Sequence, residues 1–448
     1  MIRTRSGLGP ILSNFAWLSG DKIARLGIQF VVGAIIARHL GSEGFGILNV
    51  ALAATGLVAV FASLGFDGIL SRELLRETQR ADLLLGTVFL TRLAAVLLLY
   101  PVVAIFARNQ APDSQATLLI SGLALLFIPL AVFNTHFEVR LQARYTVWAA
   151  NASFVLCTIV RIWLVSIGAS VACFAATYLI EPGVTAIILY FIYRRFGGRL
   201  SNWRLDLTLA SSLFKQSWPL MLSGFAIMIY MRLDQIMLAK MRGDAEAGIF
   251  AAALRFSEVW YFIPAALSSS LLPSLIRNQK LAPAAYEAKI GQFYDINSGL
   301  AYALIAVLVP TAPWLFQLVY GQGFAGADTV FQIHIWASLF VFLGVARSSY
   351  LINEGFASFA FYSTLVGALL NVLLNLFLIP KYGAQGAAVA TVFSHMVAAF
   401  ISSFFWKRIR PNGQLQLRAL LLPWRVIWWL LRRLLDRREL TLRKKFFS

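Results

Sequence analysis

The stretch AIIARHLGSEGFGILNVAL, residues 34–52, has a near copy in QIMLAKMRGDAEAGIFAAAL, residues 235–254. Each copy ends an apolar run on a basic residue, passes through an acidic glycine-bearing turn and restarts on Gly-Ile, at Gly46 and Gly248. The two restart points lie 202 residues apart. A recurrence at this spacing predicts a chain built from two similar halves.

A second, weaker match supports the same division. SIGASVACFAATYLI, residues 166–180, and PKYGAQGAAVATVFS, residues 380–394, align Thr177 with Thr391. Each apolar run that follows ends on a pair of basic residues. Chance similarity between turns rich in glycine and alanine stays open as an alternative.

The composition places both copies in a membrane protein. Of 448 residues, 59% are hydrophobic and 13% charged, and mean hydropathy is +0.73; soluble proteins have about 25% charged residues. A spanning helix needs roughly 20 mainly apolar residues. Twelve stretches meet this need: 13–38, 45–69, 83–107, 115–138, 146–167, 170–193, 211–240, 247–275, 293–319, 328–352, 357–379 and 384–406.

The charge of the connections predicts the orientation. Basic and less basic connections alternate along the chain, and basic loops stay in the cytoplasm. Both termini are therefore expected in the cytoplasm, and the net charge of +19 is explained by topology rather than by nucleic-acid binding. Six helices separate the two copies, so both point the same way through the membrane, as in parallel repeats. We expect an all-α integral membrane protein with two pseudo-symmetric six-helix lobes, residues 1–205 and 206–406.

Residues 407–448 are predicted to form a basic amphipathic cytoplasmic tail. This segment has twelve Lys or Arg against Asp436 and Glu439. Apolar residues from Trp424 to Leu435 fall on one helical stripe, which is typical of a helix lying on an anionic leaflet. A solvated tail that only enforces topology is the alternative.

Ionisable residues within predicted helices mark the candidate site. A charge at the bilayer centre costs at least about 2.5–3.5 kcal/mol on insertion scales, so such residues are often functional. Arginine suits phosphate, because its planar fork donates two parallel hydrogen bonds. The acidic residues can balance these cations or carry a coupling proton or sodium ion; buried ion pairs that brace helices are the alternative. Helices one, seven and eight carry this set: Asp21, Lys22, Arg25, Arg232, Asp234, Arg255 and Glu258.

Other ionisable residues have simpler interpretations. Arg92, Arg161 and Glu181 are scattered single charges, and Arg347 is expected to extend towards the cytoplasmic membrane edge. The two cysteines have no metal-ligand spacing. No phosphate-binding loop and no catalytic constellation is visible, so we expect a non-enzyme without a cofactor or metal.

Three stretches resemble one family. ARHLGSEGFGILNVALA at 37–53, VYGQGFAGA at 319–327 and NVLLNLFLIPKYGAQGAAVAT at 371–391 are similar to helix junctions of polysaccharide exporters. With the twelve-helix plan, the resemblance covers residues 11–406. The family is the oligosaccharide flippase branch of the multidrug/oligosaccharidyl-lipid/polysaccharide exporter superfamily.

This resemblance implies two six-helix bundles that rock to expose a central cavity to either side. It implies a location in the bacterial inner membrane. The implied cargo is an undecaprenyl-pyrophosphate-linked oligosaccharide, moved from the cytoplasmic to the periplasmic leaflet for O-antigen, capsule or exopolysaccharide synthesis. Membrane lipids and a polysaccharide polymerase are the implied partners.

Rival functions stay open at this point. A multidrug exporter of the same superfamily is expected to favour acidic and aromatic cavity residues over arginines. A lipid II flippase is expected to have two further helices, whereas the tail here is too charged to span twice. A membrane enzyme of polysaccharide assembly is the distant alternative.

Overall fold

A computed structural model describes the backbone of residues 8–269 and 283–428, and in these ranges the side chains from Ala24 onwards except those of residues 78, 283–285, 352 and 357. All regular structure in these ranges is helical. The principal helices are α1 Leu8–Ser63, α2 Phe66–Arg76, α3 Ala81–Ala107, α4 Pro112–Leu123, α5 Val132–Val139, α6 Ala143–Ser166, α7 Val171–Arg195, α8 Leu207–Arg242, α9 Asp244–Glu258, α10 Pro283–Tyr320, α11 Ala327–His334, α12 Ala337–Asn353, α13 Ala357–Ala399 and α14 Arg410–Leu420.

The described residues contain ten continuous stretches long and apolar enough to cross a membrane. Two of the ten contain a non-helical glycine, Gly41 in α1 and Gly383 in α13, each between two predicted spans. The ten stretches therefore contain twelve apolar segments. The φ angles at these bends are +68° and +55°, a region that glycine adopts without a Cβ clash. The all-α membrane fold is confirmed.

The apolar helices expose much of their surface. Only 22% of the most apolar stretch of α3 is buried inside the protein. Its exposed side chains include Leu97, Leu98 and Phe106, which would be unfavourable in water but suit hydrocarbon. The outward faces of such helices therefore contact lipid.

The fourth predicted span is interrupted. A 3₁₀ segment, Ala124–Ala131, separates α4 from α5 and contains Pro129. Proline has no backbone N–H to continue the α-helical ladder, and short 3₁₀ turns are a usual local solution.

The described chain forms two compact units. The first comprises residues up to Arg255 together with Trp314–Val330 and Ala368–Ala390. The second comprises Phe256–Pro313, Phe331–Gly367 and the described residues from Thr391. The lobe boundaries predicted at 205 and 406 stay predictions.

The start of the predicted tail packs within the second unit. In α14, Asn412 accepts a hydrogen bond from Tyr294 at 2.9 Å, and Gln416 donates to the Ala399 carbonyl at 3.0 Å. Beyond α14 the chain is helical to Trp428 with an exposed Trp424. Ile427 and Trp428 of the predicted amphipathic stripe are exposed as well, and the part of the stripe from Leu431 onwards lies outside the described residues.

Candidate cation site on the first helix

Arg255 on α9 is held against α1. Its guanidinium carbon lies 5.0 Å from the centre of the Phe45 ring. On another side it packs against Gly33, where an added Cβ would clash with the guanidinium itself. A cation over an aromatic face gains about 0.5–2 kcal/mol, more when it is desolvated. The first unit therefore contains a half-buried cation whose seat is formed by α1.

A close crossing between α1 and α9 positions Arg255 against α1. At the restart of the first repeat, Gly46 lies against the backbone of Asp244; at the restart of the second, Gly248 lies against the backbone of Ser42. The relation is reciprocal, because Gly46 corresponds to Gly248 and Ser42 to Asp244 in the two copies, so the two contacts are equivalent. Small residues allow such approach of helix backbones in lipid. Phe45 and the start of α9 are fixed by this crossing.

Arg25 lies on the same helix. It precedes Gly33 by eight residues, which corresponds to about 12 Å along a helix axis. Its guanidinium carbon is 4.9 Å from the ring centre of Phe154 on α6. Arg25 thus lies on α1 and Arg255 packs against α1, and each guanidinium lies over an aromatic ring.

Arg232 lies on α8, which packs along the second segment of α1. The side chain of Met228 meets Gly56 there, and the rings of Phe61 and Phe225 are 4.5 Å apart. Arg232 is half-buried, one turn beyond Met228. All three predicted arginines are therefore on α1 or on helices that pack against it.

The predicted acidic residues are placed differently. Asp234 is buried in α8, and its Oδ1 accepts a hydrogen bond from the backbone N–H of Gln235 at 2.8 Å. Glu258 ends α9 and belongs to the second unit. The side chains of Asp21 and Lys22 lie outside the described residues.

Acidic residues in the second copy of the repeated turn accept hydrogen bonds from other parts of the first unit. Glu246 Oε2 accepts a hydrogen bond from the Ala384 N–H at 2.9 Å, directly after the Gly383 bend. A carboxylate at a helix start satisfies a free N–H group and favours the helix dipole. Asp244 Oδ2 accepts from Ser114 Oγ near the start of α4, at 3.5 Å. These contacts explain why the second copy of the turn carries Asp244 and Glu246, which the repeat alone does not.

Two scattered charges pair with each other. Arg161 on α6 donates to Glu181 and to Thr177 on α7, both at 2.9 Å. Arg92 on α3 donates to Asp67 at 2.7 Å and to the Ser63 carbonyl at 3.0 Å. Both arginines thus connect helices within the first unit.

Arg347 corrects a prediction. It does not extend towards the membrane edge, because its side chain is buried in the second unit. It donates to Ser363, Ser402, Ser403 and the Ala398 carbonyl at 2.7–3.2 Å. The hydroxyl groups come from separate parts of the chain, so no local pattern marks this seat.

Comparison with known proteins agrees with the fold. The profile of the polysaccharide biosynthesis protein family matches residues 11–279. The probable low-salt glycan biosynthesis flippase Agl15 of Haloferax volcanii is 23% identical over 84% of this chain and 80% of its own length.

Solved structures show the same architecture. The lipid II flippase MurJ in an inward closed conformation superposes with a TM-score of 0.72, at 13% identity over 90% of each chain. An inward-facing multidrug resistance MATE family transporter gives 0.69, at 16% identity over 87% of this chain and 95% of its own. At these identities the likeness shows the fold. By the family match over more than half of its length, the chain belongs to the polysaccharide biosynthesis protein family.

Proposed function

We propose that this protein is an oligosaccharide flippase of the multidrug/oligosaccharidyl-lipid/polysaccharide exporter superfamily, and that it moves undecaprenyl-pyrophosphate-linked oligosaccharide from the cytoplasmic to the periplasmic leaflet of the inner membrane. Both termini are cytoplasmic in this proposal. The observation that carries it is the seat of Arg255 on α1, between Gly33 and the Phe45 ring. A cation kept at membrane depth suits a transporter whose cargo is anionic.

The cargo has three parts with different needs. Its pyrophosphate is doubly anionic, and guanidinium forks bind such groups in two parallel hydrogen bonds. Its glycan cannot cross hydrocarbon unaided, since burying hydroxyls without partners costs roughly 2–7 kcal/mol each. Its isoprenoid tail remains in lipid throughout. Arg25, Arg232, Arg255 and Lys22 are the proposed pyrophosphate ligands.

The acidic residues have a separate proposed role. Asp21, Asp234 and Glu258 balance the arginines or carry a proton or sodium ion that gives transport its direction. Alternating access is the proposed mechanism: cargo binds on one side, and the site then opens to the other. A polysaccharide polymerase is the proposed recipient of the delivered unit.

An exporter of cationic drugs is the second candidate. The likeness to the multidrug transporter, with its TM-score of 0.69, favours it. A cavity with arginines at depth repels organic cations, however, which argues for the anionic cargo.

The test is complementation. A strain that lacks its own repeat-unit flippase receives the parent chain, Arg255→Ala or Arg232→Ala, and surface glycan is measured. Arg76→Ala, which removes an exposed arginine of α2, is the matched control. We expect glycan from the parent and the control but not from the two site variants at equal membrane levels. Drug resistance without glycan from the parent would support the exporter instead.

A further inference from the structure

A second site lies within the first unit, away from the arginines on α1. A cavity of about 380 Å³ opens between α3, α5, α7 and the connection that follows α7. Its walls are almost wholly apolar and include the rings of Phe89, Phe133, Tyr190 and Trp203. Ligand sites in proteins have volumes of roughly 300–1,000 Å³ and similar linings.

Hydrogen bonds and close packing hold the connection after α7 in place at one side of this cavity. Trp203 donates its indole N–H to the Tyr193 hydroxyl at 3.0 Å, and Tyr193 donates in turn to Asp82 at 3.2 Å. The Arg204 carbonyl accepts from Thr87 at 3.3 Å. At Gly86, an added Cβ would lie 2.6 Å from the Arg204 nitrogen. The connection is therefore docked tightly on α3, and the cavity is a fixed feature of the fold.

The cavity opens to the outside of the helices. Two of its lining residues, Ile187 on α7 and Leu200 in the connection, are 55% and 42% exposed. Both belong to apolar surface, and water gains few hydrogen bonds in a space of this kind. Hydrocarbon from the surrounding bilayer is the natural occupant, because it fills the space without desolvating polar groups.

The mouth of the cavity is cationic. Arg194 donates to the hydroxyl of Tyr190, a lining residue, at 3.2 Å. Arg195 ends α7, Arg199 and Arg204 follow in the connection, and all three are exposed. An apolar slot with guanidinium groups at its edge matches an acyl chain joined to an anionic headgroup.

We propose that this cavity binds one chain of an anionic phospholipid, whose phosphate lies beside Arg194. The lipid is a bound neighbour and not the cargo, so the assignment is independent of the transport reaction. Its role is to fill the gap between α3, α5 and α7 and to keep the basic connection at the membrane surface.

The test uses the purified full chain and native mass spectrometry. Delipidated protein is titrated with phosphatidylglycerol, phosphatidylcholine or undecaprenyl phosphate, and the lipid retained per protein is counted. We expect one tightly retained phosphatidylglycerol and weaker retention of phosphatidylcholine. Equal retention of the two phospholipids would overturn the headgroup assignment, and preferred retention of undecaprenyl phosphate would overturn the phospholipid assignment.

Two variants locate the site. Ala186→Phe fills the cavity and should weaken the retention of phosphatidylglycerol about tenfold, because the ring excludes the acyl chain. Ile180→Phe, elsewhere on α7, is its control and should not weaken retention.

Arg194→Gln should weaken the retention of phosphatidylglycerol up to about fivefold, as for an exposed ion pair. Arg144→Gln is its control, because it removes an equal charge elsewhere and should have no effect. If Ala186→Phe does not purify as a monodisperse protein, the Arg194 pair decides. Retention unchanged in Arg194→Gln, or unchanged in a monodisperse Ala186→Phe, contradicts the site.

Discussion

Arg255 shows what a cation needs at membrane depth. The Phe45 ring attracts it from one side, and the missing Cβ of Gly33 leaves it room on the other. The position of Arg255 inside a predicted membrane helix is enough to identify it from the sequence as a candidate site residue. The seat is not predictable in this way, because Gly33 and Phe45 lie more than 200 residues earlier in the chain.

Gly33→Ala should inactivate the protein, as we also expect for Arg255→Ala. The new Cβ would occupy the position of the guanidinium and displace it from α1. Surface glycan in the complementation strain is the measurement. Gly27→Ala on the same helix is the control, because a Cβ added there would meet open space. Full activity of Gly33→Ala would show that the seat is not needed.

Arg347→Met should destabilise the second unit without any effect on cargo chemistry. The change leaves buried hydroxyl and carbonyl groups without their charged donor, which costs about 2–4 kcal/mol. Thermal unfolding in detergent measures it, with the exposed Arg408→Met as the control. An unchanged melting temperature would contradict a bracing role for Arg347.

At the scale of helices, hydropathy predicts most of the fold. The bends at Gly41 and Gly383 lie where the predicted spans are separated, because glycine and polar residues interrupt the apolar runs there. The 3₁₀ segment around Pro129 is missed, since its residues are as apolar as those of the helices beside it. The repeat itself is visible in the sequence, but the mutual contact of its two copies is a tertiary feature.

Gly46→Ala and Gly248→Ala should each destabilise the crossing between the repeats. Each Cβ meets a backbone carbonyl, which cannot move aside as a side chain can. Overpacking of this kind costs about 1–3 kcal/mol. The control is Gly68→Ala on α2, where a Cβ meets open space. Thermal unfolding of the detergent-purified proteins gives the comparison.

The double variant tests whether the two glycines act at one contact. Changes at a shared contact are non-additive, whereas independent changes add within about 0.5 kcal/mol. We expect Gly46→Ala with Gly248→Ala to cost less than the sum of the two. Additive losses would mean that the two positions do not act at one crossing.

At the scale of the whole molecule, the distribution of charge predicts topology. Basic residues alternate between connections along the chain, and this pattern needs no tertiary information. The pairing of Arg161 with Glu181 and the seat of Arg25 on Phe154 depend on helix packing. Composition and loop charge therefore predict membrane fold and orientation, while the roles of individual charges require the structure.

The predicted orientation is tested by thiol labelling in whole cells. In a chain with Cys157 and Cys173 replaced by alanine, Glu43→Cys should react with a membrane-impermeant maleimide. Arg199→Cys should react only after the cells are opened, because its connection is cytoplasmic. The reverse pattern would place both termini outside.

The central claim is that the chain flips an anionic lipid-linked glycan with the help of Arg255. The most direct measurement uses proteoliposomes that contain undecaprenyl-pyrophosphate-linked oligosaccharide and follows the glycan fraction accessible to an added glycosidase. We predict that the parent chain and Arg76→Ala make the inner-leaflet glycan accessible, whereas Arg255→Ala leaves it protected. Glycan that stays protected with correctly inserted parent chain, or becomes accessible equally with Arg255→Ala, would contradict the account.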